Sequence, residues 1–308
     1  MFMGIRKALL SAICLCIWSG FAGAEPLAFE QAANVTGKGG VEIGANFDYA
    51  YTRLENPGIG STFNQTYLDI PVFIRLGISA LEAQVTVPYG MVRNNYNALI
   101  QDQNSTGWEN TEFLLKSNFI QLPFFNFAIG LNTLFPTGYV SHDLDNGLNL
   151  TPFVAADIDL IMVRLHGNLG YQFSGQHNTT TDPVTHQNIS ETTFRPGNAT
   201  YWALGLEFPL GSDLVSFNAE LLGTKYGPAQ FNGSDLESSP GTTLSFVPGF
   251  QFLALPFKAK LGLELPLERR SDRPEVLPRG DWRVLGGVSL QFSMGGPNPK
   301  NETETPAQ

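Results

Sequence analysis

The chain of 308 residues carries 28 acidic and 18 basic side chains, a formal charge of −10, with 32 glycines, 23 phenylalanines and a mean hydropathy of −0.05. The negative balance argues against nucleic acid or anionic lipid as a partner, and beyond the N-terminal segment no run approaches the roughly eighteen apolar residues of a membrane-spanning helix. Cys14 and Cys16 both lie in the first 24 residues, which excludes thiolate metal sites and cysteine nucleophiles from the rest.

Arg6 and Lys7, the apolar run 8–21 and the small residues Ala22-Gly23-Ala24 predict a secretory signal peptide over residues 1–24, cleaved near Ala24. The apolar run is shorter than the roughly twenty residues that a spanning helix needs. Removing the segment takes the basic count from 18 to 16 against 28 acidic residues, a charge of −12. Residues 25–38 have no clear period and are expected to form a short periplasmic leader.

From Gly39 the chain alternates. Val41, Ile43, Ala45, Phe47, Tyr49 and Tyr51 share one face of the first run, and Glu42, Gly44, Asn46, Asp48, Ala50 and Thr52 share the other. Such a run is a β-strand between two solvents. It is longer than the usual five or six residues of a strand and matches the roughly nine to eleven that cross a bilayer at a tilt.

The design recurs. The second run turns Leu68, Ile70, Val72, Ile74 and Leu76 outward and Asp69, Phe73 and Arg75 inward; the third, after the turn 77–80, turns Leu81, Ala83, Val85, Val87 and Tyr89 outward against Glu82, Gln84 and Thr86. The fourth sets Phe113, Leu115 and Phe119 against Glu112, Lys116 and Asn118, and the fifth sets Phe127, Ile129, Leu131 and Phe135 against Ala128, Gly130 and Asn132. The sixth, 148–157, contains Pro152 and is the weakest. The seventh alternates Val163, Leu165, Leu169, Tyr171 and Phe173 with Arg164, His166, Asn168 and Gln172.

The eighth opposes Trp202, Leu204, Leu206 and Phe208 to Tyr201, Ala203, Gly205 and Glu207; the ninth opposes Val215, Phe217, Ala219 and Leu221 to Ser216, Asn218 and Glu220. Leu244, Phe246, Phe250 and Phe252 mark the tenth, and Phe257, Ala259, Leu261, Leu263 and Leu265 against Lys258, Lys260 and Glu264 the eleventh. The last turns Trp282, Val284, Val288, Leu290 and Phe292 outward and Arg283, Ser289 and Gln291 inward. About twelve runs, an even number, predict an all-β fold: a transmembrane antiparallel up-and-down β-barrel over residues 39–292.

The connections alternate as such barrels require. Short links fall at 77–80, 122–125, 158–160, 209–213 and 254–256, and longer polar stretches at 55–63, 93–108, 136–147, 174–198, 227–241 and 268–280. This places both ends of the processed chain in the periplasm and the long loops outside. The stretch 174–198 is the longest and is the candidate constriction or lid. The Gly287, Leu290 and Phe292 spacing is similar to the signal read by the barrel-assembly machinery, and residues 293–308, with Pro297, Pro299 and Pro306, read as a disordered periplasmic tail.

Pro71, Pro88, Pro248 and Pro266 fall inside strands, where each removes a ladder donor. They are wall-bulge candidates. The turn at 77–80 sets Pro71 and Pro88 at similar heights, so a weakened seam that releases apolar solutes sideways is the alternative.

Arg75 to Glu82 (Arg-Leu-Gly-Ile-Ser-Ala-Leu-Glu), Val87-Pro88-Tyr89, Leu134-Phe135-Pro136-Thr137-Gly138 and His166-Gly167-Asn168-Leu169-Gly170-Tyr171 follow one another as landmarks. Their order resembles that in the family named for the meta-pathway of phenol degradation, which comprises bacterial outer-membrane β-barrels. The resemblance covers most of 39–292 and implies a transporter-like protein linked to aromatic compounds. Ser79-Ala80 lacks the Asp expected in the family's turn.

For chemistry, four histidines are present: His142, His166, His177 and His186. Of these His166 lies on a strand, where a hydrogen-bonded wall residue is the expectation; no metal site and no cofactor is expected. An outer-membrane lipid hydrolase would need a Ser/His pair, but Ser141 and His142 are adjacent and nothing orients the imidazole. The chain is therefore read as no enzyme.

The inward set is Glu42, Asp48, Asp69, Arg75, Glu82, Glu112, Lys116, Asp157, Arg164, His166, Glu207, Glu220, Lys258, Lys260, Glu264 and Arg283. Such charges need pairing or water, so the lumen is polar. Charges paired across the lumen would fill it and make a closed scaffold that presents loops. Charges hydrated along a clear path would make a channel for small solutes, with aromatic or hydrophobic compounds as the candidate class, in a wall solvated by outer-membrane lipid.

Overall fold

The computed structural model describes residues 39–56, 61–96, 103–138, 147–160, 162–181, 188–210, 214–231, 233–236, 241–254, 256–271 and 280–293. The signal segment, the leader, Ser141, His142, His186 and residues 294–308 of the tail lie outside them. Nineteen strand segments are described: β1 (Gly40–Asn56), β2 (Ser61–Asp69), β3 (Val72–Ile78), β4 (Leu81–Val87), β5 (Tyr89–Tyr96), β6 (Gln103–Trp108), β7 (Thr111–Leu122), β8 (Phe125–Phe135), β9 (Asn149–Asp159), β10 (Arg164–Gln172), β11 (His177–Thr181), β12 (Asn188–Arg195), β13 (Ala199–Pro209), β14 (Val215–Tyr226), β15 (Ala229–Phe231), β16 (Ser234–Leu236), β17 (Gly241–Ala254), β18 (Phe257–Ser271) and β19 (Gly280–Ser293).

Fifteen segments make one antiparallel sheet, and it closes because β1 pairs with β19, from Gly40 opposite Ser293 to Thr52 opposite Gly280. β2 with β3, β4 with β5 and β6 with β7 are halves of single crossings, so the wall is a closed barrel of twelve antiparallel strands. Closure leaves the barrel sheet without an edge in the region where β1 and β19 meet, which is what a wall in hydrocarbon requires.

The alternation sorts cleanly. Ile43, Ile74, Leu115, Leu169, Leu204, Leu261 and Val288 are exposed on the outside. Glu42, Asp69, Glu82, Lys116 and Asp157 are buried on the inside. Aromatic rings gather toward one rim, with Tyr49 and Tyr51 at 5.5 and 6.3 Å from Trp282 and Tyr89 edge-on to Trp108 at 5.1 Å. Phe208, Phe217 and Phe250 gather toward the other. These are the two girdles of a membrane barrel.

Three of the four prolines, Pro71, Pro88 and Pro248, differ from expectation. Ala45 pairs with Val72 and Asp48 with Asp69, so the register of β1 runs unshifted past Pro71. Val72 pairs with Val87 and Asp69 with Gly90, so Pro71 and Pro88 stand directly opposite one another without a bulge. The reason is hydrogen-bond parity. Ile70 and Tyr89 exchange bonds at 3.0 and 3.3 Å, which makes the next pair a non-bonded one. The missing proline donors therefore point away from each other, while Pro71 O accepts from Asn46 N at 2.9 Å and Pro88 O from Glu109 N at 3.0 Å. Bonds run through the proline pair, and no seam opens there. Pro248 pairs with Ala219 in an unshifted ladder. Pro266 sits beside a register shift, between Leu244 and Ser245 of the partner strand.

Loop lengths also differ. The stretches 55–63 and 93–108 are largely strand, because β1, β2, β5 and β6 continue past the girdle. The longest stretch, 174–198, holds the β11–β12 hairpin, which joins β15 and β16 in a second, four-stranded sheet. Its root is pinned by Ser174 N to Asn198 Oδ1 at 3.0 Å, Gly175 N to Asn149 Oδ1 at 2.9 Å and Arg195 Nε to Ser174 O at 2.9 Å. These segments carry no regular apolar alternation, so the sequence pattern does not mark them as strands.

Leu204, exposed at the middle of β13, supplies a test. Leu204→Arg is expected to destabilise the barrel in lipid by about 2–4 kcal/mol, as for a charge at the bilayer midplane. Urea titration of the protein folded into liposomes measures it; a change near zero would contradict a lipid-facing outer surface.

Candidate functional site

The inner surface is built by register. A belt of alternating charge runs near the rim of short turns. Glu42 accepts from Arg75 Nη1 at 3.1 Å, Lys258 Nζ at 3.1 Å and Ser289 Oγ at 2.6 Å. Arg75 reaches on to Gln84 at 2.8 Å and Glu82 at 3.6 Å, and Glu82 holds Lys116 Nζ at 3.0 Å. Lys258, Glu42, Arg75, Glu82 and Lys116 thus join β18, β1, β3, β4 and β7.

On β10, His166 Nδ1 lies 2.9 Å from Asp157 and Nε2 lies 3.4 Å from Glu207. The more exposed Arg164 bridges Asp159 at 3.1 Å and Glu207 at 3.5 Å. On the opposite arc Arg283 binds Asp48 and reaches Glu264 at 3.3 Å. Glu112 accepts from Asn132 at 2.5 Å. Glu220 is buried near Lys260, and its Oε2 has no hydrogen-bond partner among the described residues. Each of the sixteen residues of the inward set therefore sits on the inner surface, while Arg164, His166 and Glu207 form a group separate from the belt. Among the described residues no three His, Cys, Asp or Glu side chains converge as a metal site.

The ion pairs share one geometry. Every pair named above joins strands that are adjacent or separated by one strand. The pairs lie along the wall and do not bridge the lumen. Beyond the belt, a small cavity of about 50 Å³ opens among β9, β10, β13, β14, β17 and β18. Its lining mixes Phe153, Tyr201, Ala203 and Leu222 with Asn168, Thr224, Thr243, Ser245 and Glu264. Tyr201 OH donates to Gln172 Oε1 at 2.6 Å, and Gln172 Nε2 to Ser174 Oγ at 3.0 Å, which fixes the ring at the cavity edge.

Reading by alternation missed Glu109 and Asn110. They join β6 to β7, where the partner register changes: Thr86 faces Glu112, but Tyr89 faces Trp108. Both residues are buried, and Trp108 remains outside. Two successive inward residues are the mark of a β-bulge. The signal was present in parity, since Trp108 and Phe113 both face out but lie an odd number of residues apart. Tyr67 was missed as well; its hydroxyl donates to Glu109 at 3.1 Å.

No family model matches the chain, and no curated protein matches it. Solved structures do. An outer membrane channel from Pseudomonas putida F1 superposes with a TM-score of 0.67 at 12% identity, over 83% of this chain and 96% of that one. The monoaromatic hydrocarbon channel TodX, as a deletion mutant, gives 0.52 at 7% identity over 87% and 92%. The translocator domain of the autotransporter NalP from Neisseria meningitidis gives 0.50 at 12% identity over 88% and 92%. At such identities the likeness is one of fold, that of outer-membrane β-barrels.

Lys116 is 2% exposed and Glu82 likewise. Glu82→Gln, which takes a buried carboxylate from that ammonium, is expected to cost about 3–5 kcal/mol in urea unfolding, and the double variant Glu82→Gln, Lys116→Met to recover part of it. Equal losses in the single and double variants would show that the pair does not act as a unit.

Proposed function

We propose that this protein is a channel of the bacterial outer membrane through which small solutes pass by passive or facilitated diffusion. The observation that carries the reading is the placement of the ion pairs: charge lies along the wall and leaves the cavity beside it open. A polar lining whose charges pair along the wall is what a hydrated path requires. The neighbours in fold include channels, which supports the same reading at the level of architecture.

The finer reading concerns the solute. Phe153, Tyr201, Ala203 and Leu222 offer an apolar surface, and Thr224, Thr243 and Ser245 offer hydroxyls. Such a mixture fits a small aromatic or apolar molecule with one polar end. It accords with the sequence resemblance to the phenol-degradation family, to which we assign the chain by this argument. In this reading residues 1–24 direct export, the barrel-assembly machinery inserts the barrel, and the short turns face the periplasm. Asp69, Arg75, Glu112, Lys116, Arg164 and His166 act as field and hydrogen-bond lining.

A closed scaffold is favoured by one feature, the burial of Lys116 and Glu82 in the belt. It predicts no flux. Liposomes containing the protein should swell in iso-osmotic arabinose, benzyl alcohol should slow the swelling, and Ala203→Trp should slow it severalfold and remove the competition. Swelling equal to that of empty liposomes would support the scaffold; unchanged swelling in Ala203→Trp would take the cavity off the path.

A further inference from the structure

A row of carboxylates crosses the inner wall beyond the belt. Asp48 on β1 stands opposite Asp69 on β2, and Asp69 stands opposite Gly90 on β5. Gly90 has no side chain, and the Glu109 carboxyl fills its place: a Cβ there would collide with it. Three consecutive positions of one ladder row therefore present Asp48, Asp69 and Glu109, exposed by only 7%, 3% and 6%.

The wall supplies little positive charge here. In the belt, Lys258, Arg75 and Lys116 alternate with Glu42 and Glu82. In the row, Arg283 reaches Asp48 at one end and divides its charge with Glu264. Glu109 accepts from the neutral Tyr67 hydroxyl. Asp69 Oδ1 is buried and has no hydrogen-bond partner among the described residues. Adjacent dry carboxylates need a counter-charge or shared protons.

We propose that Asp69 and Glu109 form a binding site on the lumen wall for a monovalent cation, either an alkali ion or the primary ammonium group of a solute. The site is built by two features. At the bulge Glu109 and Asn110 both face inward, where β6 gives way to β7, and Gly90 makes room for the Glu109 carboxylate. The acceptors do not converge as a compact multi-ligand metal site, which favours a larger, singly charged group. An ammonium offers three donors, which suit the free Asp69 oxygen and the Glu109 carboxylate. Entry from water rests on the channel reading, whereas binding can be measured without flux.

The test is thermal unfolding of the purified protein at constant ionic strength in potassium chloride, methylammonium chloride or the bulky tetraethylammonium chloride. Melting is expected to rise by several degrees in potassium, in methylammonium or in both, and the rise to vanish in Asp69→Asn and Glu109→Gln. Potassium alone identifies an alkali site, and methylammonium alone an amine site. Gly90→Ala, which displaces the Glu109 carboxylate without removing a charge, should also lose the rise if the neutralised variants fail to fold. Equal melting of the unaltered protein in the three salts would mean that protons satisfy the row and would overturn the proposal, as would a rise that survives in folded variants. In planar bilayers under a potassium chloride gradient the unaltered channel should prefer cations, and the Asp69→Asn, Glu109→Gln double variant should lose most of that preference while still conducting. Salt-specific melting without any current would keep the site and remove the channel.

Discussion

Hydrogen-bond closure between β1 and β19 is the constraint on which the rest of this structure depends. In hydrocarbon an unpaired amide has no water to turn to, so a sheet that spans a membrane must return to its own first strand. The pairing from Gly40–Ser293 to Thr52–Gly280 achieves that. Once the sheet is closed, alternation along each strand becomes a division of space: lipid outside, charge inside. The wall takes prolines where their missing donors fall outside the bonded pairs or beside a register shift, as at Pro266. Pro71 and Pro88 meet the first condition by facing each other at a non-bonded position, with their carbonyls still engaged by Asn46 and Glu109.

The wall was legible in the sequence because two solvents impose two residue classes on a period of two. Val41 to Tyr51 against Glu42 to Thr52 is enough to identify a strand, its direction of exposure and its membrane length. Where both faces meet water the same backbone leaves no mark. The continuation of β1 and β2 past the girdle and the β11–β12 hairpin carry no apolar alternation and so read as loops. The bulge at Glu109 and Asn110 was hidden differently, in a change of parity between Trp108 and Phe113 that becomes plain only when neighbouring registers are compared.

The partners of the inward charges could not be read at all from one chain in order. Glu42 meets Lys258 across 216 residues and Asp48 meets Arg283 across 235. Those contacts follow from stagger and closure. They bear on a question that the composition of the lumen leaves open. Paired charges could have bridged the interior and filled it, yet the pairs named above join strands that are adjacent or, for Lys258 and Glu42, separated by one. At the belt, buried Lys116 and Glu82 stiffen the wall; on the other side of the barrel, Phe153, Tyr201 and the hydroxyl-bearing Thr224 and Ser245 border open space. A single structure thus combines a charge-compensated ring with an amphipathic cavity, and the carboxylate row lies beyond that ring.

Single-channel recording of the purified protein in a planar bilayer with symmetric potassium chloride tests most directly whether the lumen is a continuous aqueous path. The wall-bound placement of the charges predicts reproducible conductance steps that disappear when the barrel is heat-denatured before insertion. A correctly inserted, folded barrel that remains electrically silent across the applied voltages would contradict it.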